Sequence, residues 1–310
     1  MTQPINSESY HLPVMLQEVT SWLAPAASGW IIDCTYGGGG HTHALLDEYH
    51  DVRVVGIDRD EDALHRAPTT ERLTLVKANY RDLAHIVGTR GIPDRVDGVL
   101  LDLGVSSHQL DTAGRGFSYH RAGPLDMRMG RDSDTDAASI VNAASAAELT
   151  AIISRYGEER FAKRIAQAIV AERPFNDTAT LALCIADAVP APARRTGHPA
   201  RKTFQALRIA VNDELDGLRD TMESVFDLLN PGGRIVVMAY HSLEDRIVKR
   251  AMVDRALACV CPPDLPVCVC GLQPDVKILT RKAVRPSDRE VQANPRARSA
   301  LLRVAEKVAP

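Results

Sequence analysis

The chain has 310 residues, of which 45% are hydrophobic and 25% charged, and its formal net charge is −3. This composition is typical of a soluble globular protein with either one large domain and an insertion or two domains. It contains neither the roughly 18 consecutive apolar residues of a membrane-spanning helix nor a basic segment ahead of an apolar stretch in the first thirty residues. We therefore expect a cytoplasmic protein without a membrane partner.

Short apolar runs rich in branched side chains predict four buried strands in the first third of the chain. They lie at residues 30–34, 52–57, 73–76 and 99–103. Segments of helical length, 42–49 and 61–67, separate them. Strands that alternate with helices favour a parallel sheet covered on both faces, and right-handed connections make it doubly wound.

The pattern changes after the fourth strand, because residues 146–229 are helical in character. Strand signals return at residues 234–238, 276–279 and 299–304. The sequence therefore predicts an α/β fold, a doubly wound Rossmann-like sheet with a helical insertion domain. We assign residues 1–109 and 212–310 to the sheet domain and 110–211 to the insertion.

A glycine-rich loop, residues 33–41, joins the first predicted strand to the next helix, where doubly wound sheets hold an adenosine cofactor. The loop does not fit the G-x-G-x-x-G dinucleotide pattern, because Thr42 or His43 occupies the third glycine position. A cofactor without phosphate, carrying a methionyl moiety, does not need that glycine. Asp58 closes the second strand, where its carboxylate would accept both ribose hydroxyls. The alternative is a flexible turn.

The fourth strand delivers polar residues to the same edge of the sheet. These are Asp102, Ser106, Ser107 and Gln109. They either form part of the cofactor site or cap the following helix.

A series of short segments, in order over almost the whole chain, carries a family resemblance. The segments are residues 11–16, 37–41, 56–60, 101–107, 115–118, 123–128, 156–159, 198–200, 203–208, 241–246 and 294–299. With them the chain closely resembles the bacterial ribosomal RNA small subunit methyltransferase H family. The resemblance implies a class I methyltransferase that moves a methyl group from S-adenosylmethionine to N4 of a cytidine in the decoding region of 16S ribosomal RNA. It also implies that the assembled small ribosomal subunit is the partner.

The resemblance also assigns cofactor contacts. They fall on Gly39, Gly40, His41, Asp58, Tyr80, Asp102 and Gln109. Tyr80 replaces a family phenylalanine and keeps the aromatic wall beside the adenine.

Methylation of a base amine needs a hydrogen-bond acceptor, because the amine lone pair is delocalised into the ring. Asp102, Ser106 and Ser107 are candidates for this role. His241, with Glu244, offers a second acid/base pair, or else it is structural. The Asp/Ser-Pro-Pro-aromatic tetrapeptide of many amino-methyltransferases is not at this strand end, which weakens the catalytic assignment.

Two groups of insertion residues are candidates for RNA contact. Arg115, Phe117 and Tyr119 are suited to holding an unstacked base, although packing explains Phe117 equally well. An acid-free basic stretch would meet phosphate, or is solvated charge. It contains Arg194, Arg195, Arg201 and Lys202.

Four cysteines lie within twelve residues at Cys259, Cys261, Cys268 and Cys270. We assign no metal to the reaction. The four thiols either form a structural zinc shell, for which the C-x-C spacing is unusual, or stay reduced in a redox-labile loop.

Two other functions stay open from sequence. One is an amino-methyltransferase acting on another nucleic acid, although no DNA partner is expected. The other is a nonenzymatic assembly factor that binds ribosomal RNA.

Overall fold

The computed structural model describes residues 13–65, 67–68, 70–130, 133–261, 267 and 269–309. The side chains of residues 107, 195 and 196 also lie outside the description. The strands are β1 (Trp30–Asp33), β2 (Arg53–Asp58), β3 (Leu73–Lys77), β4 (Val96–Asp102), β5 (Leu229–Ala239), β6 (Val276–Ile278) and β7 (Leu301–Lys307).

The seven strands form one sheet in the order β3-β2-β1-β4-β5-β7-β6. Strands β1 to β5 pair in parallel with one another, whereas β7 runs antiparallel to both β5 and β6. Each strand lies where the sequence predicts one, within a few residues, except that β5 begins five residues earlier, at Leu229. The predicted α/β class is confirmed.

The α-helices cover a large part of the chain. They are α1 (Leu16–Leu23), α2 (Gly40–Glu48), α3 (Glu61–Leu64), α4 (Leu83–Ile86), α5 (Ser107–Asp111), α6 (Ala137–Ala143), α7 (Ala146–Gly157), α8 (Ala162–Glu172), α9 (Thr178–Ala188), α10 (Arg201–Asn212), α11 (Glu214–Ser224), α12 (Ser242–Arg255) and α13 (Asp288–Ala293). Among the described residues, no helix has the length and apolar character to cross a bilayer.

The chain divides into two compact units. Unit 1 comprises Met1–Gly104 and Asp216–Pro310, and unit 2 comprises Val105–Leu215. Unit 2 is thus several residues longer at each end than the insertion assigned from sequence. Of the two predicted crossover helices in unit 1, α2 begins at Gly40 rather than 42, and α3 is a single turn.

Unit 1 has a hydrophobic core on each face of its sheet. Successive residues of a strand point to opposite faces. Accordingly Val99 and Leu101 of β4 belong to one apolar cluster, and Leu100 between them belongs to the other. Burial on both faces explains why the central strands are almost continuously apolar.

Unit 2 has its own core, formed by helices α6 to α10 together with Phe117, Leu125, Met127 and other residues of the connecting segments. A buried amide joins two of its segments. The Asn212 side chain, 6% exposed, accepts a hydrogen bond from the Met129 amide at 2.8 Å and donates to the Met127 and Arg208 carbonyls at 2.8 and 2.9 Å. Met127 has a left-handed φ of 59°, a strained conformation for a residue with a side chain. Asn212 therefore helps to hold this bend.

Replacing Asn212 with Ala should destabilise unit 2 by at least about 2 kcal/mol, since a buried backbone group without a partner costs about 1–3 kcal/mol. Urea denaturation and hydrogen exchange of the Met127 and Met129 amides measure the effect. Gln167→Ala, which removes an exposed amide from α8, is the matched control. Equal stability of the two variants would show that Asn212 does not hold the bend.

Candidate active site at the carboxyl edge of the sheet

Four parallel strands end at the same edge of the unit 1 sheet. Strands β1, β2 and β4 end at Asp33, Asp58 and Asp102, and Tyr240 follows β5. The chain extends the sheet from β1 in one direction through β2 and β3, and in the other through β4 and β5. Such a change of direction opens a crevice beyond the strand ends, where doubly wound proteins bind ligands.

Asp33 fixes the glycine loop at this edge. Its carboxylate is 1% exposed and accepts hydrogen bonds from the Thr35 amide at 3.1 Å and the Thr42 hydroxyl at 2.7 Å. Burial raises the pKa of Asp33, and the hydrogen bond from Thr42 opposes the shift. In the sequence, Asp33 is recognisable only as the residue at which the loop begins. The presence of Thr42 nine positions later, at the start of the following helix, was the sequence feature that could have indicated this structural role.

The glycines of the loop are required by close packing and backbone conformation. Gly39 has a φ of 74°, and a Cβ there would lie 2.5 Å from the Tyr36 hydroxyl. A Cβ on Gly40 would lie 2.4 Å from Pro13. Gly39 is the N-cap of α2 and provides no side-chain cap. The positive end of the α2 dipole is therefore available to an anionic group.

Asp58 braces the other side of the loop. Its carboxylate accepts from the Gly37 amide at 2.7 Å and from the Asp60 amide at 2.8 Å. Loss of solvation raises the pKa of Asp58 to about 6, although both hydrogen bonds lower it. The side chain is thus a hydrogen-bond acceptor whose charge changes close to neutral pH.

Asp102 lies at the end of β4 in contact with β5. Its backbone amide donates to the Thr35 hydroxyl at 2.7 Å, and its carboxylate accepts from the Tyr240 hydroxyl at 2.7 Å. Burial raises the pKa of Asp102, and the nearby His41 and Tyr240 lower it. Burial and the adjacent Asp102 also raise the pKa of Tyr240. The tyrosine hydroxyl therefore acts as a donor to the carboxylate.

His41, 6% exposed, lies at the start of α2. Its Nε2 is 3.0 Å from the Val14 carbonyl, which can only accept, so Nε2 carries a proton. Its Nδ1 lies 3.8 Å from Asp102 Oδ2. The hydrogen bond from Nε2 to Val14 thus positions the imidazole so that Nδ1 faces the Asp102 carboxylate.

His241 caps helix α12. Its Nδ1 accepts from the Glu244 amide at 3.4 Å, and the buried Glu244 carboxylate accepts from the His241 and Tyr240 amides at 3.2 and 2.8 Å. His241 Nε2 is 3.1 Å from Glu244 Oε1 but is not aligned for a hydrogen bond. These contacts give His241 a structural role as the cap of α12. Its catalytic role stays a prediction.

The remaining cofactor candidates belong to different parts of the chain. Tyr80 is half-buried and packs on the core of unit 1. In unit 2, Ser106 and Gln109 form a capping box: the Ser106 hydroxyl accepts from the Gln109 amide, and the Gln109 side chain accepts from the Ser106 amide. Both side chains thus have capping roles, and the Ser107 side chain lies outside the description. Their ligand contacts stay predictions.

The candidate base-binding residues of unit 2 differ in how far their side chains are exposed and in whether they already have hydrogen-bond partners. Arg115 donates to the Arg128 and Met129 carbonyls, and Phe117 is 7% exposed within the core. Burial favours the packing alternative for Phe117. The half-exposed Tyr119 ring stacks on the exposed His198 ring with centroids 4.5 Å apart. Tyr119 is therefore the aromatic side chain of this group that lies nearest the surface of unit 2.

The basic candidates also lie in unit 2. Arg194 and Arg201 are exposed. Arg194 donates to the Val189 carbonyl at 2.8 Å, and Lys202 donates to the Glu158 carbonyl at 2.8 Å. The Arg195 side chain lies outside the description. Arg201 thus offers the simplest test of this stretch.

Comparison with known proteins identifies the family. The sequence profile of the MraW methylase family matches residues 8–308. The ribosomal RNA small subunit methyltransferase H of Heliobacterium modesticaldum is 49% identical over 309 residues, covering 96% of this chain and 99% of the relative. The proteins of the same name from Symbiobacterium thermophilum and Thermobifida fusca are 50% and 51% identical, each over 96% of this chain and over 97% and 93% of the relative. The chain, with its Rossmann-like sheet, therefore belongs to the MraW methylase family.

Proposed function

We propose that this protein transfers a methyl group from S-adenosylmethionine to N4 of a cytidine in the decoding region of 16S ribosomal RNA, with the small ribosomal subunit as substrate. The observation that carries the proposal is the match to ribosomal RNA small subunit methyltransferases over 96% of the chain, at about half identity. The coarser activity, S-adenosylmethionine-dependent methylation of ribosomal RNA, follows from the family. The choice of N4 and of the decoding region rests on the family resemblance that the sequence motifs carry.

The residues at the sheet edge fit S-adenosylmethionine. The start of α2, without a side-chain cap at Gly39, suits the methionyl carboxylate. Asp58 provides an acceptor for the ribose hydroxyls, and no pyrophosphate has to be accommodated. When bound, the cofactor would supply an electrophilic methyl group from its sulfonium, whose S–CH3 bond breaks so that the neutral thioether S-adenosylhomocysteine leaves. The chain contributes alignment of the nucleophile and removal of water from the site.

Asp102 is our candidate acceptor for the base amine. The amine nitrogen gains a bond to the methyl carbon and loses a proton, so an acceptor beside it stabilises charge that develops during transfer. The Tyr240 hydroxyl holds Asp102 Oδ1, and Asp102 Oδ2 faces His41. This pair of contacts orients the carboxylate and tunes its basicity. A proton taken by Asp102 passes afterwards to solvent.

The substrate is tested directly by assaying labelled methyl transfer to small subunits, free 16S ribosomal RNA and duplex DNA. Mass spectrometry of ribosomal RNA from cells with and without the gene locates the mark. We expect N4-methylated cytidine in the decoding region only when the gene is present. A mark on another base, or unchanged ribosomal RNA, would refute the proposal, and the latter would favour the assembly factor.

Asp58→Asn should weaken S-adenosylmethionine binding by about 1.5–3 kcal/mol, the range for hydrogen bonds to a charged group. Calorimetric titration at pH 8 measures this change. Wild-type affinity should also fall as the pH drops through about 6, because protonation removes the charged acceptor. The Asp58→Asn variant should lack that dependence.

The exposed Asp47→Asn is the control for loss of one carboxylate in the same unit. The stability of the ligand-free protein should depend on pH in the opposite direction to the affinity for S-adenosylmethionine. A carboxyl group whose pKa is raised on folding contributes stability that is present below about pH 4 and lost as the pH rises through about 6. If the Asp58→Asn variant binds S-adenosylmethionine like the wild type, Asp58 is excluded from the cofactor site.

Tyr240→Phe should move the acid limb of the kcat/KM profile to higher pH. The lost hydrogen bond lowers the pKa of Asp102 in the intact protein, so its removal raises that pKa. Single-turnover methyl transfer to small subunits across pH 5 to 9 measures the shift. Tyr49→Phe, which removes a hydroxyl bonded to the Thr20 carbonyl, is the control. An unshifted profile would show that Asp102 does not govern transfer.

Arg201→Ala should raise the KM for small subunits and reduce the salt dependence of binding by about one phosphate contact. Affinity for S-adenosylmethionine should not change. Arg250→Ala, which removes an arginine that is 84% exposed on α12, controls for the loss of a positive charge elsewhere. Identical salt slopes for both variants would leave Arg201 as solvated charge.

A further inference from the structure

Three cysteine side chains converge in the loop between α12 and β6. The Sγ atoms of Cys259, Cys261 and Cys270 all lie within 4.8 Å of one another. Those of Cys259 and Cys270 are 3.9 Å apart, almost twice the length of a disulfide bond. Tetrahedral zinc with Zn–S bonds of about 2.3 Å places its sulfur ligands about 3.8 Å apart. The separation of Cys259 and Cys270 therefore matches that of two sulfur ligands on one zinc ion, and Cys261 Sγ lies within 4.8 Å of both.

The described part of this loop has no hydrophobic core of its own. No described residue from Ala256 to Asp275 is buried. Several apolar side chains are instead exposed, among them Val260, Val267 and Val269 at 62, 71 and 78%. A segment without buried apolar surface needs a cross-link to hold one conformation, and metal coordination supplies that in small structural sites.

The base of the loop is anchored to unit 1. Arg255, at the end of α12, donates through Nε to the Asp275 carboxylate at 3.0 Å, and Lys307 of β7 donates to the same carboxylate at 2.7 Å. The Asp275 amide also donates to the Arg255 carbonyl at 3.3 Å. The two chain segments that carry the cysteines thus leave the unit side by side. This anchoring brings Cys259 and Cys261 within reach of Cys270.

We propose that Cys259, Cys261 and Cys270 bind one structural Zn²⁺ ion that cross-links this loop. Three thiols lose their protons to solvent as three Zn–S bonds form, with no change of oxidation state. The Cys261 amide lies 3.4 Å from Cys259 Sγ, and such N–H donors stabilise a thiolate. The proposal does not depend on the proposed reaction, because the cysteines lie outside the sheet-edge site. Cys268 lies outside the described residues.

The test is metal analysis of the full-length protein, purified without a histidine tag and without chelators. We expect about one zinc per chain by plasma mass spectrometry. Cys259→Ser and Cys270→Ser should each lose most of it. Cys184→Ser, which removes a buried thiol from α9, should retain it. Replacement of zinc by Co²⁺ should give the intense sulfur-to-cobalt charge-transfer bands of a thiolate site, and these should vanish in the two loop variants.

Calorimetric binding of S-adenosylmethionine shows whether each variant is folded. Limited proteolysis should cut the loop faster after chelation of the metal, while the sheet domain persists. Wild-type protein with neither zinc nor cobalt bands would overturn the proposal. A disulfide between Cys259 and Cys270, or an iron–sulfur absorption spectrum, would overturn it equally.

Discussion

The site depends first on the burial of one carboxylate. Asp33 has almost no contact with water, and its hydrogen bonds to Thr35 and Thr42 fix the turn from β1 into α2. Thr35 then accepts from the Asp102 amide, so the same turn fixes the end of β4. A carboxyl group buried in this way is stable only while its hydrogen-bond partners stay in place. The conformation of the glycine loop therefore depends on the burial and hydrogen bonding of Asp33.

Three aspartates lie close to one edge of the sheet, where ionisation of their carboxyl groups is unfavourable. Burial raises the pKa of Asp33, Asp58 and Asp102 alike, and the neighbouring acids raise the pKa of Asp58 and Asp102 further. A ligand that carries positive charge relieves both effects. The sulfonium and ammonium groups of S-adenosylmethionine have that charge. Cofactor binding should therefore favour the ionised carboxylates, which is the form that accepts hydrogen bonds from ribose or amine.

Much of the sheet could be predicted because its strands are short, branched and apolar, a pattern set by burial on both faces. The antiparallel direction of β7 was not indicated, since an apolar run such as 299–304 has no direction of its own. The site was harder. Asp58 and Asp102 were found as acids at strand ends, but the role of Asp33 depends on Thr42 across a turn. For Ser106 and Gln109 the sequence could not distinguish two roles, because a capping box and a ligand contact use the same residue types.

Unit 1 is discontinuous, and that arrangement bears on how the protein folds as it is synthesised. Strand β4 is complete before unit 2 begins, yet its partner β5 is made only after the whole of unit 2. Until then β4 presents an unpaired, apolar edge, a hazard for association with other chains. Unit 2, made from one continuous segment with its own core, has the contacts to fold during that interval. Early folding of unit 2 would shorten the effective loop between β4 and β5 and so reduce the entropy cost of the last parallel pairing in the sheet.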